Sequence, residues 1–158
     1  MSYGNAPPPE GAPVPPQELI GASIFLGLVS VVSISRHGSY LITLGMGRSA
    51  LDVVSLGVIA LNAVGFAGSL WLLALRRWAW ALCLGYAAIE VCLHLYYAFA
   101  DLVPGTLGRG SPQWLGGLGE LVLGLVFLVV LAFLLGPETR DQLDAREAYR
   151  RAGSASGS

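Results

Sequence analysis

Four long apolar segments, separated by short polar stretches, dominate the pattern of hydrophobic and polar positions along the chain. They cover residues 19–36, 51–75, 78–100 and 114–136. Each is close to the ~20 residues that an α-helix needs to cross the ~30 Å hydrocarbon core of a bilayer. In lipid every backbone polar group has to be satisfied within its own segment, so we expect helices rather than strands. The pattern therefore predicts an all-α membrane protein with four transmembrane helices in a domain of residues 18–136.

The connections between these segments are too short to form a separate domain. Only "RRW" stands between the second and third segments, and "DLVPGTLGRGSPQ" between the third and fourth. Neighbouring helices should therefore run antiparallel, which gives an up-down bundle with short loops. The first connection contains the apolar run "YLITLGMG". This run is too short to span a bilayer, and we expect it at the membrane interface.

The two ends of the chain differ from the apolar middle. Residues 1–17 are rich in proline and contain no basic residue, which predicts a disordered cytoplasmic arm rather than a secretory signal peptide. Residues 137–152 begin with proline, carry acids early and arginines late, and contain few apolar positions. That order suits the helix dipole and predicts a short, solvated cytoplasmic helix. Residues 153–158 are predicted to be a disordered tail.

The arginines indicate the orientation of the bundle. On one side lie Arg76, Arg77, Arg140, Arg146, Arg150 and Arg151; on the other lie Arg36, Arg48 and Arg109. Because basic residues concentrate on the cytoplasmic side of a membrane, both termini are expected in the cytoplasm. The chain contains no lysine, a bias that we interpret as that of a GC-rich bacterial genome. The predicted location is therefore a bacterial inner membrane.

Composition supports the membrane assignment and excludes one class of partner. The chain is 54% hydrophobic and 12% charged, whereas a soluble domain has roughly 25% charged residues. Its formal net charge is -1, and no basic stripe is interleaved with aromatic residues. Nucleic-acid binding is therefore not expected.

A polar stripe interrupts the third apolar segment. At about 100° per residue, Glu90, His94 and Tyr97 share one face of a helix with Cys83 and Asp101. An ionised carboxylate at membrane depth is costly unless it is paired or protonated. We therefore expect Glu90 to face the interior of the bundle and to have a partner nearby.

Candidate partners lie at matching depths on the neighbouring helices. With the fourth helix running back through the membrane, Glu120 should lie at the depth of His94. On the second helix, Asn62 should lie near the depth of Glu90. The sequence thus predicts a buried polar cluster of Glu90, His94, Glu120, Asn62 and Tyr97. Such a cluster can bind a ligand, exchange protons, or simply hold the helices in register.

Small residues at four-residue spacing suggest the main functional hypothesis. Ser23 with Gly27, and Gly65 with Ser69, would let helix backbones approach closely, as they do where membrane helices associate. Because the loops offer little surface for independent action, we expect an accessory or interaction subunit of a larger membrane assembly or a homo-oligomer. Its expected partners are the lipid bilayer and other membrane protein chains or further copies of itself.

Two alternatives use the polar cluster directly. Buried Glu90, His94 and Glu120 could serve a proton- or cation-coupled carrier or sensor. More weakly, the same three side chains could hold zinc or iron in a metal-dependent membrane enzyme. The chain contains no phosphate-binding glycine loop with lysine, no Gly-x-Ser-x-Gly and no His-Glu-x-x-His. An enzyme is therefore not favoured, and no cofactor is expected.

Overall fold

Helices make up the fold in the computed structural model, which describes residues 14–44, 50–103 and 114–155. The helices are α1 (Gln17–Leu44), α2 (Ala50–Leu72), α3 (Arg77–Leu102), α4 (Trp114–Leu135) and α5 (Pro137–Ala155). No strand occurs in these described ranges. The first four helices each contain a stretch that is long and apolar enough to cross a membrane. The all-helical fold and its four apolar helices are confirmed.

Helix α1 is longer than predicted. It was expected to end near residue 36, but it continues without a break to Leu44 and takes in the "YLITL" that was assigned to the interface. No proline interrupts this region, and the Thr43 hydroxyl donates to the Ser39 carbonyl at 2.8 Å. Residues 40–44 are therefore the last part of α1 rather than a separate segment, and their position at the interface stays a prediction. Residues 45–49 lie outside the described part of the chain.

A tight turn joins α2 to α3. Helix α2 ends at Leu72, three residues before the predicted end of the segment. The Leu75 amide then donates to the Leu72 carbonyl at 2.8 Å, and Leu75 has a φ of 50°, in the left-handed region. The turn brings the Trp71 and Trp78 rings within 6.0 Å of each other, centroid to centroid.

Residues of neighbouring helices meet in reverse order. Between α2 and α3, Gly65 lies against Tyr86, whereas Trp71, six residues later, lies near Trp78. Between α3 and α4, the Trp80 indole donates to the Leu134 carbonyl at 2.7 Å. Further along α3, Leu102 packs on Gly117, near the start of α4.

Residues of α1 and α2 also meet in reverse order, and serines take part in these contacts. The Ser23 hydroxyl donates to the Ser69 carbonyl near one end, and His37 Nδ1 lies 3.5 Å from Ser55 Oγ near the other. A Cβ atom on Gly27 would lie only 3.1 Å from Ser69 Oγ. The small residues predicted to form helix seams therefore contact one another inside this chain.

The core lies between the four apolar helices and continues onto α5. Its fully buried side chains include Leu26, Leu72, Phe127 and Leu134. Leu143 of α5 joins the same cluster and is only 3% exposed. Residues 137–152 are thus helical and mostly exposed, as a short solvated helix would be, and Leu143 in addition packs α5 against the bundle.

Polar contacts reinforce this anchor. Arg77, at the start of α3, forms ion pairs with Asp144 and Glu147 of α5. From α5 to the turn after α2, Arg150 donates to the carbonyls of Ala74 and Leu75 at 2.6 and 3.2 Å. These carbonyls belong to the turn after α2, so a side chain of α5 satisfies backbone groups that the helix leaves unpaired.

The predicted ends of the chain are described only in part. Helix α5 continues to Ala155, so residues 153–155 of the predicted disordered tail are helical. Residues 1–13 of the predicted arm and residues 156–158 lie outside the described part of the chain.

Candidate functional site

Two ionisable side chains lie one turn apart on the inner face of α3. Glu90 is 8% exposed, although it carries a carboxyl group. Its Oε2 lies 3.6 Å from His94 Nε2, the distance that helix geometry allows for side chains four residues apart. The separation exceeds that of a hydrogen bond, so the two groups interact electrostatically across a narrow gap.

The other nitrogen of the same imidazole reaches α4. His94 Nδ1 lies 2.6 Å from Glu120 Oε2, which is a short hydrogen bond between the two helices. A Cβ atom on Gly124 would lie 3.3 Å from His94 Cβ, so glycine at this position allows α3 and α4 to approach closely. The Phe127 ring stacks on the imidazole with 5.4 Å between centroids and 24° between planes. Together these contacts fix the orientation of the imidazole.

A second group of polar side chains surrounds the Tyr86 hydroxyl. Tyr86 donates to Asn62 Oδ1 at 2.7 Å and accepts a hydrogen bond from Ser30 Oγ at 3.2 Å. The Asn62 amide nitrogen donates to the Val58 carbonyl at 2.9 Å. Tyr86 is 2% exposed and Asn62 is fully buried. Three helices, α1, α2 and α3, therefore meet at one tyrosine hydroxyl.

The two groups are neighbours on α3, because Tyr86 and Glu90 are buried on the same helix face one turn apart. We call the connected set the polar chain: Glu120, His94, Glu90, Tyr86, Asn62 and Ser30. Side-chain exposure falls along its ionisable part, from 28% at Glu120 through 16% at His94 to 10% at Glu90. Among the described residues, no buried side-chain nitrogen or oxygen lacks a hydrogen-bond partner. The polar chain thus leads from the edge of the bundle into its interior.

The structure brings together Glu90, His94, Glu120 and Asn62 from the predicted cluster, and it leaves Tyr97 outside. Tyr97 is 45% exposed, and its ring packs edge-on against Tyr96 at 5.6 Å. At this height the buried side of α3 is occupied by its neighbour Ala98, which is 3% exposed.

Tyr86 was missed in the sequence, although it carried a usable signal. It lies four residues before Glu90, so it shares the same helix face and extends the polar stripe by one turn. Phe127 gave no such signal, because an aromatic residue in an apolar helix does not reveal which side chain it will stack on.

The predicted metal ligands do not converge. Glu90 and Glu120 approach opposite nitrogens of the His94 ring. A metal bound by one imidazole nitrogen could not also be reached by both carboxylates in this arrangement. Among the described residues, no group of three or more histidine, cysteine, aspartate or glutamate side chains is placed to hold a metal ion. The geometry gives no support to a metal-dependent enzyme.

Comparison of the chain with protein-family models, with curated proteins and with solved structures gave no match. A functional assignment therefore has to come from the chemistry of the polar chain and from the surfaces of the bundle.

The substitution Tyr86→Phe tests whether the polar chain contributes to stability. Loss of the hydroxyl leaves Asn62 Oδ1 buried without its donor, so we expect a loss of about 1–3 kcal/mol in the free energy of unfolding. The matched control is Tyr97→Phe, an exposed position on the same helix, where the change should stay within about 0.5 kcal/mol. Both are measured by equilibrium unfolding in mixed micelles. Equal effects of the two substitutions would contradict the assignment.

Proposed function

We propose that the chain is an integral protein of a bacterial inner membrane, in which α1 to α4 form an up-down transmembrane bundle with both termini in the cytoplasm. Four helices of sufficient length and apolarity support this, as does the reverse order in which neighbouring helices contact each other. Many large apolar side chains on these helices are exposed in the isolated chain, including Leu115, Ile42 and Val53. Lipid tails would cover them, whereas water would not be a favourable solvent for so large an apolar surface.

Within this bundle, we propose that the polar chain exchanges protons and serves as the proton site of a carrier or sensor. The observation that carries the proposal is that His94 bridges two carboxylates from different helices, one at each ring nitrogen. Intramembrane carboxylates and histidines in contact with one another are typical of proton relays. The opposite placement of the carboxylates suits a proton, which needs only one acceptor at a time, better than a metal cation.

The bridging imidazole defines the transfer step. A proton that arrives at Glu120 is transferred to Nδ1 of neutral His94, and the proton on Nε2 of the same ring passes to Glu90. The first transfer runs along the existing 2.6 Å hydrogen bond. The second has to cross 3.6 Å, so Glu90 and His94 must approach each other before it can occur. One such transfer moves a single proton and leaves the ring protonated at Nδ1 and unprotonated at Nε2.

Beyond Glu90 the path narrows and ends inside the bundle. The Tyr86 hydroxyl connects it to Asn62 and Ser30. Toward the α2–α3 turn, the buried side chains are mainly apolar, and the polar contact between Ser23 and Ser69 is separate from the polar chain among the described residues. Net transport would require the helices to rearrange, whereas a sensor would need only the change in charge.

A second candidate function is the accessory subunit or homo-oligomer, which is supported by one face of α2. Gly57 and Ala67 are exposed there with Ala60 between them, and nothing lies within 4 Å of a Cβ atom built on Gly57. At about 100° per residue these three small residues fall on one side of the helix. Such a face allows close approach by a helix of another chain. By contrast, Gly27, Gly65 and Gly68 already contact neighbours within the bundle.

The orientation is tested by single cysteines in a background with both native cysteines replaced by serine. Because Ser111 follows α3 and Ser154 lies in α5, we expect Ser111→Cys to react with an impermeant maleimide on intact cells. Ser154→Cys should react only after permeabilisation. The reverse pattern would contradict the proposed orientation, and reaction of both positions on intact cells would contradict an odd number of crossings between them.

Proton exchange is tested with the purified protein in liposomes. After a step to lower external pH, infrared difference spectra should show a carboxyl band that Glu120→Gln removes, since glutamine cannot take up the proton. In Glu120→Gln, the rate of proton uptake should fall by about 100-fold relative to the wild type, which is the lower range of what a positioned acid or base contributes. Glu90→Gln should remove a second band, whereas Glu138→Gln, an exposed position on α5, should change neither. Unchanged spectra in both site variants would exclude the proton site.

The accessory function is tested by Ala60→Leu, which fills the open face of α2. If this face binds another helix, the substitution should shift the particle in mild detergent from a larger assembly to a monomer. Ala132→Leu, the same change at an exposed position of α4, should leave the assembly intact. If light scattering shows that the wild-type protein is a monomer in mild detergent, this candidate is excluded.

A further inference from the structure

A pocket of ≈ 270 Å³ lies between α5 and the turn that joins α2 to α3. Its apolar wall includes Leu75 and Leu143, both nearly fully buried. The pocket opens to the surface, and its volume is roughly nine times the ~30 Å³ that a water molecule occupies in the liquid. The polar chain lies elsewhere in the bundle and takes no part in this pocket.

Three arginines line the pocket, and one acid accompanies them. Arg77 is paired with Glu147, which also lines the pocket, at 3.5 Å. Arg76 has no ion-pair partner among the described residues, and it lies in the pocket wall. Arg150 donates only to backbone carbonyls, which hold its guanidinium in place without neutralising it. Glu147, which already pairs with Arg77, is also the acid that acts on Arg150, so three arginines share one acid in the pocket lining and positive charge is in excess.

The electrostatic environment of Arg150 agrees with this charge excess. Burial lowers the pKa of its guanidinium from the ordinary value, and the nearby charges of Arg76 and Arg146 lower it further. Like charges held close together at a fixed site are stabilised by an anion that binds between them.

The start of α3 adds partial positive charge at the same place. Its N-cap residue, Arg76, makes no side-chain capping hydrogen bond, and the first turn of the helix contains no acid. The first amide groups of a helix have no partner within the helix, and their dipoles favour an anion. Arginine side chains and helix amides thus converge on one pocket.

Trp71 and Trp78 place the pocket at the edge of the apolar zone. Each is 49% exposed, and Trp78 lines the pocket itself. Tryptophan is enriched at membrane–water interfaces, where its ring contacts both apolar and polar groups. Basic pockets between transmembrane helices on the cytoplasmic side are sites that bind phosphate-bearing lipid headgroups.

From these observations we propose that the pocket binds the phosphate of an anionic phospholipid from the inner leaflet, with Arg76 and Arg150 as its ligands. Free phosphate shares the same chemistry, but the apolar wall beside Trp78 and Leu143 suits an amphiphile, whose stem continues into the bilayer. This assignment rests on the membrane insertion and orientation proposed above and is independent of proton exchange.

The test uses the full-length protein, purified in a neutral detergent, and three additives at equal concentration. Phosphatidylglycerol should raise the melting temperature, whereas phosphatidylcholine and inorganic phosphate should leave it within error of the untreated protein. Arg76→Gln should weaken phosphatidylglycerol binding about fivefold, the contribution of one basic residue near an anionic surface. The matched control is Arg140→Gln, an exposed arginine on α5 outside the pocket, which should retain wild-type affinity.

The outcomes separate this proposal from those it rests on. Equal stabilisation by both lipids would overturn it, as would equal loss of affinity in Arg76→Gln and Arg140→Gln. If inorganic phosphate raised the melting temperature as much as phosphatidylglycerol does, the ligand would be a free anion rather than a lipid. Because these measurements need only the purified protein, a protein that fractionates with membranes but shows no lipid preference refutes this inference alone. A chain absent from the membrane fraction would refute the proposed location first.

Discussion

The contact between His94 and Glu120 is the constraint on which the packing of α3 and α4 depends. A partly buried carboxyl group requires a partner, and the 2.6 Å hydrogen bond supplies one only if the two helices approach closely. Gly124 permits that approach, and Phe127 covers the imidazole that results from it. Phe127 in turn packs against Phe25 of α1, at 5.2 Å between ring centroids. One polar contact therefore sets the position of apolar side chains on a third helix.

The sequence was sufficient to predict the four apolar helices and most of the candidate site, for reasons that can be stated residue by residue. Glu90 and His94 share a helix face because of their spacing alone. The number of residues from the start of the opposing helix predicted that Glu120 lies at the depth of His94, where the structure has it. Tyr97 shares that face too, but face and depth do not determine whether a ring fits. The small Ala98 occupies the buried side at that height, and only the packed structure reveals this.

Helix α5 illustrates a different limit. Its polar composition is that of a solvated helix, and the sequence offered Leu143 as merely one of a few apolar positions. What anchors the helix is complementarity with the α2–α3 turn. Arg77 meets the acids of α5, and Arg150 reaches the carbonyls of Ala74 and Leu75 in the turn where α2 has ended. Neither the turn geometry nor these pairings can be derived from local pattern, because each partner is far away in the chain.

Helix α3 connects the two candidate sites, and the two ends of the helix are held differently. At its start, the Arg77 ion pairs and the hydrogen bond from Trp80 to Leu134 fix it to α5 and α4. Further along, the gap between Glu90 and His94 is wider than a hydrogen bond and has to close for a proton to cross. Because Glu90 and His94 lie on the same stiff helix, one turn apart, the gap between them closes by rotation of their side chains.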